Sequence, residues 1–272
     1  MLAANCYSLV DVLLGAAYDL IRLYRPMPRI DQYRFTDQSD EVRASRLRLA
    51  GNRLANSLAG ADLIKATASG LSNAGRLRLA DGDDRLIGLV DDALEGRAYG
   101  LANTKSRRSG EAGEIKTGEG DDLVRGSVRG GAGQRAGIFN QGLIDTQAGD
   151  DTVDALIGGF AGQGVTRLGL GDDALIGFGR GFFDAGGGFD LSSQSDRILL
   201  PEGVYSISTT FDENGYFVLS KDGVDMLIQG FEFIGSASAP GALSEFLLSE
   251  SADNSNSITV DSTGVLIAAL DG

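Results

Sequence analysis

The residues in this chain best placed to do chemistry are carboxylates set in repeated glycine turns. Four copies keep a Gly-Asp-Asp core: Gly82-Asp83-Asp84, Gly120-Asp121-Asp122, Gly149-Asp150-Asp151 and Gly171-Asp172-Asp173. A fifth, Gly186-Gly187-Gly188-Phe189-Asp190, keeps the glycines and the final acid. The clearest copy is Gly118-Glu119-Gly120-Asp121-Asp122-Leu123-Val124. Its two glycines allow turn conformations closed to residues with a Cβ. Two carboxylates come next, and an apolar residue two positions on begins a strand. Such a mixture of carboxylate and backbone carbonyl oxygens suits a hard cation such as calcium. The candidate metal-site residues are Asp84, Asp122, Asp151, Asp173 and Asp190, their neighbours Asp83, Asp121, Asp150 and Asp172, and the turn glycines Gly118 and Gly120.

The plainer possibility is that these acids are turn formers on a solvated edge. Stacking sharpens the question. If like turns lie one strand spacing apart, two unit charges at ~4.8 Å repel by roughly 0.9 kcal/mol in water and about 3.5 kcal/mol at an effective dielectric of 20. A divalent cation between turns would reverse the sign.

Other catalytic chemistry is scarce. The chain has no histidine, no tryptophan and a single cysteine, Cys6. Imidazole acid-base work, His-dependent triads, His/Cys zinc sites and an internal disulfide are all excluded. The formal charge is -14, from 24 basic and 38 acidic residues. Residues 1–53 hold eight arginines against six acids, about +2, so the remainder carries about -16. An acidic body of that kind repels nucleic acid and anionic membrane, so neither is expected as a partner.

The elements that must position the acids can be read around the turns. The second residue after the last Asp is Leu86, Val124, Val153 or Leu175, and that position should point inward. A second landmark, Gly70-Leu71-Ser72-Asn73-Ala74-Gly75, is matched by Gly137-Ile138-Phe139-Asn140-Gln141-Gly142. Between each asparagine and its Gly-Asp-Asp turn, Leu77 and Leu79, or Ile144 and Thr146, alternate with the period of a half-buried strand. Gly100-Leu101-Ala102-Asn103 starts the same way but runs into the basic stretch Thr104-Lys105-Ser106-Arg107-Arg108-Ser109, which reads as a loop outside the stack. Asn73, Asn103 and Asn140 are expected to form a turn-stabilising ladder. Each repeat is thus strand, turn, strand, turn, and the fold class is all-β, a parallel β-solenoid of β-helix or β-roll type. The last Asp of each motif advances by 38, 29, 22 and 17 residues, which suggests a tapering stack or loops inserted in its early turns.

The body, residues 46–195, is flanked on both sides. Residues 1–45 carry an amphipathic helix over 8–24, with Leu9, Leu13, Ala16, Leu20 and Tyr24 on one face, and an arginine-rich connection. Leu2–Tyr24 has no uninterrupted apolar run long enough for a membrane span and no positive region before it, so it is not expected as a transmembrane segment or a cleavable signal. It is expected to cover the open end of the core or to dock a protein partner. Residues 196–248 read as short strands that cap the narrow end of the stack, and residues 249–272 as a tail.

The motifs resemble the calcium-binding repeats of hemolysin-type (RTX) proteins, whose nonapeptide is Gly-Gly-x-Gly-x-Asp-x-apolar-x. Gly118, Gly120, Asp122 and Val124 match its positions two, four, six and eight, and Gly186, Gly188 and Asp190 match without the apolar residue. The resemblance implies a bacterial protein, calcium held between turns by the sixth-position Asp and turn carbonyls, and folding outside the cell after export by an uncleaved C-terminal signal. It departs from the tandem pattern, because the motifs here are isolated and unevenly spaced. The leading expectation is a non-enzymatic calcium-binding module, secreted or on the cell surface, with a structural or adhesive role. An assembly subunit docking through its N-terminal helix inside a larger, cytoplasmic complex is one alternative. A calcium-dependent polysaccharide lyase or epimerase is another.

Overall fold

The computed structural model describes residues 28–91, 96–186, 194–208, 210, 212–245 and 255–269. The helix expected over residues 8–24 lies outside them. The regular structure of the described chain is nearly all strand and forms three sheets, most of whose neighbours are parallel. Among the described residues, no helix is long and apolar enough to cross a membrane.

The first sheet orders Glu41–Ala44, Leu63–Ala66, Arg85–Val90, Leu123–Val128, Thr152–Asp154, Ala174–Ile176, Arg197–Leu200 and Phe233–Ser236, all parallel, and ends on antiparallel Ala239–Glu245. The second orders Leu47–Leu49, Leu71–Asn73, Ala98–Asn103, Arg135–Asn140 and Phe160–Gly162. The third runs Leu54–Asn56, Arg76–Arg78, Glu114–Glu119, Leu143–Ala148, Val165–Gly169, Phe182–Gly186 and Val224–Gln229 in parallel. It then continues through antiparallel Phe217–Lys221, Gly203–Ser208, Ser255–Asp261 and Gly264–Ala269. From Glu41 to Ile176 the chain visits the first, second and third sheets in rotation, so each strand up to Thr152–Asp154 pairs with the strand three elements later; the next strand, Phe182–Gly186, skips the second sheet and pairs with Val165–Gly169.

That register sorts the side chains. Ile64, Leu86, Val124, Val153, Leu175, Ile198 and Ile234 are successive partners in the first sheet, and each is 0% exposed. The inward position read after each Gly-Asp-Asp turn is therefore the spine of the core. Leu77, Leu79, Ile144 and Thr146 are buried on the third sheet's inner face, as their alternation requires.

Several boundaries differ from the expectation. The stack begins at Glu41, ahead of residue 46, because Val42 pairs with Ile64. Arg197–Leu200, Val224–Gln229 and Phe233–Ser236 extend the parallel stack, and the antiparallel hairpins fold onto its last strands. Within the expected tail, Ser255–Asp261 and Gly264–Ala269 form a hairpin that pairs with Gly203–Ser208. The shrinking step is no taper. The longest interval contains residues 104–113, which leave the sheets at one corner, so the step counts loop residues and not the width of the stack.

Candidate functional site

The Gly-Asp-Asp turns all fall where the chain passes from the third sheet to the first, so they stack along one corner. Glycine is required there by geometry. Gly120 has φ 124°, and a Cβ on it would fall 2.5 Å from the carbonyl oxygen of Gly82 in the preceding turn. Gly118, at φ 115°, leaves no room for a Cβ against the Ala80 carbonyl.

The two acids of each turn have opposite fates. Strand alternation puts the second Asp on the same side as the inward apolar residue two positions on. Asp84, Asp122, Asp151 and Asp173 are accordingly at most 2% exposed. The first Asp faces out: Asp83, Asp121 and Asp150 are exposed and Asp172 is half-buried.

Each inner carboxylate ties its turn to the one before. The backbone N–H of Asp84 donates to Asp122 Oδ1 at 2.7 Å, that of Asp122 to Asp151 Oδ1 at 2.8 Å, and that of Asp151 to Asp173 Oδ1 at 2.8 Å. The column extends past the recognised motifs in both directions. Asp40 N–H donates to Asp62, Asp62 N–H to Asp84, Asp173 N–H to Asp196, and Asp196 N–H to the carboxylate of Glu232. Asp190 lies outside the described residues, and the carboxyl that succeeds Asp173 in the column is Asp196. The outer acids form a second ladder of opposite direction, in which Asp121 N–H donates to Asp83, Asp150 N–H to Asp121, Asp172 N–H to Asp150 and Ser195 N–H to Asp172.

Burial dominates the electrostatics of the inner column. It pushes the carboxyl of Asp84 up to about 8, Asp122 to about 6, Asp151 to about 8, and Asp173 and Asp196 each to about 7, from an ordinary 3.8. Asp62 and Glu232 are raised for the same leading reason. The donated N–H groups pull each value down, and nearby carboxylates push it up. Near neutral pH, much of the column therefore holds protons. In six of these residues, Asp62, Asp84, Asp122, Asp151, Asp173 and Asp196, the second oxygen, Oδ2, is buried without a hydrogen-bond partner. Hydroxyls flank part of the row: Ser57, Thr117 and Thr146 stand beside Asp62, Asp122 and Asp151. Their protons already go to the carbonyls of Leu79, Thr146 and Leu168 in the next turns. What these hydroxyls have left to offer is a lone pair, which a protonated carboxyl can use.

A third ladder lies where the chain passes from the second sheet to the third. Asn73 Nδ2 donates to Asn103 Oδ1 and Asn103 Nδ2 to Asn140 Oδ1, each at 2.9 Å. Asn73 and Asn140 also accept the N–H of Gly75 and Gly142 two residues on. All three asparagines are buried.

The arrangement brings together Asp84, Asp122, Asp151 and Asp173 as one row and Asp83, Asp121, Asp150 and Asp172 as another, at one acid per turn. Among the described residues, no three acidic side chains converge as a ligand cluster. Asp62, in the weakened copy Gly60-Ala61-Asp62-Leu63-Ile64, takes its place in the column, whereas Asp40, Asp196 and Glu232 were missed as members of it. The signal was present, since each of the three precedes an inward apolar residue by two positions: Val42, Ile198 and Ile234.

No protein-family model matches the chain, and no curated protein or solved structure matches it.

Proposed function

We propose that this chain is a non-enzymatic parallel β-solenoid that serves as a structural or adhesive module, with its acidic turns acting as staples between successive turns. One observation carries this reading: the inner carboxyl column runs unbroken from Asp40 to Glu232, one hydrogen bond per turn. The acids that an acid-base mechanism would draw on have their Oδ1 atoms already committed to backbone N–H groups. Rotation through three sheets and the spine from Ile64 to Ile234 support the solenoid.

A second reading keeps the solenoid and adds calcium. The observation in its favour is the row of buried, unpartnered Oδ2 atoms. Hard oxygen donors repeating once per turn, with turn carbonyls alongside, suit an ion that bridges turns, and the ion would supply the charge that the buried row lacks. Asp84, Asp122, Asp151 and Asp173 would hold it. The resemblance to hemolysin-type repeats points the same way and to a setting outside the cell, where modules of this kind meet calcium.

Melting the full chain in excess chelator and again in millimolar calcium separates the two. Ligand that binds only the folded state adds about 2.7 kcal/mol at a hundred times its Kd. A transition that stays in place supports protonated staples, and a transition that rises with calcium supports the ion.

A further inference from the structure

The first strand of the first sheet, Glu41–Ala44, pairs on one side only among the described residues. In later turns the residue after the inner carboxyl donates its backbone N–H to the carbonyl of the inner residue one turn back. Leu63 donates to Asp40, Arg85 to Asp62 and Leu123 to Asp84, each at 2.8 Å, and the series runs on to Arg197 and Asp173. Glu41 holds that position in the first turn, and among the described residues its N–H has no acceptor. The carboxyl column stops at the same place. Oδ1 of every later aspartate accepts the N–H of the turn before. Asp40 instead takes Thr36 with Oδ2, and its Oδ1 has no donor among the described residues.

The described chain begins beside this edge. The Pro28 carbonyl accepts the Arg48 N–H at 3.1 Å, and Arg29 bridges Arg48 in parallel. Pro28 and Arg29 thus lie along the second sheet, and in the rotation of the stack the first sheet comes just before the second. Residues 1–27 hold a segment that fits there. Asp19-Leu20-Ile21-Arg22 repeats the pattern of Asp62-Leu63-Ile64-Lys65 and Asp122-Leu123-Val124-Arg125, an acid followed two positions on by the apolar residue of the spine. The spacing agrees as well. Asp40, Asp62 and Asp84 are 22 residues apart, and Asp19 precedes Asp40 by 21.

We infer that residues 19–22 add a parallel strand to the free edge of Glu41–Ala44. Their backbone supplies both partners at once: the Asp19 carbonyl accepts the Glu41 N–H, and the Asp19 N–H donates to Asp40 Oδ1. Ile21 takes the place before Val42 in the inward spine, and Leu20 and Arg22 face out beside Glu41 and Arg43. These four residues thereby leave the helix expected over 8–24, in which Leu20 belongs to the apolar face. An uncovered strand edge is a template for other chains, so the added strand also shields the stack from its neighbours. A second copy is the poorer occupant. The chain at this end already sits beside the second sheet at Arg29 and over the next corner at Gln38, where a Cβ on Gly60 would fall 2.6 Å from the Gln38 carbonyl carbon. That leaves room for one strand and not for the end of another stack. The added strand extends the column's hydrogen bonds and needs neither its protons nor an ion, so it is compatible with both readings of the turns.

The test combines cross-linking with hydrogen exchange in the full chain. Neighbours in parallel strands lie about 4.8 Å apart, within the Cα range that a disulfide spans. With Cys6→Ser as background, Leu20→Cys/Glu41→Cys should close a disulfide within one chain on mild oxidation. Leu20→Cys/Leu54→Cys, which reaches for the free edge of the third sheet, should not. In the parent the Glu41 amide should be protected from exchange. Ile21→Asp should speed its exchange at least tenfold and lower the melting temperature, while Leu20→Asp, on the outer face, should do neither. Damage from Leu20→Asp equal to or greater than that from Ile21→Asp is the mark of a helix packed on its apolar face and would overturn the assignment. So would free exchange at Glu41 in the parent, closure with Leu54→Cys as readily as with Glu41→Cys, or a disulfide with Glu41→Cys found only between chains, which would give the edge to a second copy. Exchange at the Asp122 and Asp151 amides, read in the same experiment, reports on the staples themselves, so failure at the first turn is told apart from failure of the column.

Discussion

The substitution Asp151→Asn should change sign in its effect on stability between mildly acid and mildly alkaline pH. Asp151 is 1% exposed, and burial raises its carboxyl from 3.8 to about 8. Below pH 3.8 the folded and unfolded chains both hold the proton. Between 3.8 and about 8 only the folded chain holds it, so stability falls as pH rises, by up to about 1.4 kcal/mol per pH unit. Over pH 5 to 8 the full slope is about 4 kcal/mol. Asp122 and Asp173 share the row and titrate in the same window, so about 2–4 kcal/mol is the expected change. Asparagine carries no such proton. Its Oδ1 can still accept the Asp122 N–H that now lies 2.8 Å from Asp151 Oδ1. Its amide N–H groups then sit where Oδ2 has no partner, at a pH-independent cost of about 1–3 kcal/mol. The variant should be equal to the parent or up to about 1 kcal/mol less stable at pH 5, and about 1–3 kcal/mol more stable at pH 8. Urea unfolding monitored by circular dichroism, in excess chelator at pH 5, 6, 7 and 8, measures this difference. A gap that stays constant, or a variant that falls further behind as pH rises, would refute the reasoning by showing that Asp151 is ionised in the folded chain.

Three further outcomes are expected. In chelator, the parent itself should melt higher at pH 5 than at pH 8, because each raised carboxyl in the column favours the folded state in its protonated form; a thermal scan at the two pH values checks it. Asn103→Ala removes the middle rung of the asparagine ladder, with its bonds to Asn140, Gly113 and Leu143. It should cost about 2–4 kcal/mol in urea unfolding, with one N–H of the Asn73 amide losing its acceptor while Nδ2 still donates to Glu114 O. Gly120→Ala forces a Cβ toward the Gly82 carbonyl at an unfavourable φ, and should destabilise by about 2–4 kcal/mol in the same assay, with little dependence on pH.

Much of the fold was legible because each repeated turn sets the register of the strand after it. Once Gly-Asp-Asp marked a corner, Leu86, Val124, Val153 and Leu175 fell into place, and Asn73, Asn103 and Asn140 lined up as a ladder. The same alternation puts Asp84 on the inner face beside Leu86, so the second Asp of each turn is a core residue, whereas the first keeps its contact with solvent. Glycine was the weaker marker. Asp196 comes after Gln194-Ser195 with no glycine before it and still continues the column, because the column requires an acid two residues before an inward apolar side chain. The hairpin after Asn103, in which Lys105 bridges Ala112, could not be read from the local sequence. Its position depends on Ser106 packing against Gly51, a contact between the third turn and the first.

Protonated staples are tested most directly by a carbon-13 NMR titration of the aspartate side-chain carboxyls in excess chelator, from pH 4 to pH 9. Resonances from Asp84, Asp122, Asp151, Asp173 and Asp196 should show midpoints between about 6 and about 8. If all the aspartates titrate near 3.8, the inner row is ionised, and the claim that protonated carboxyls staple the stack is contradicted.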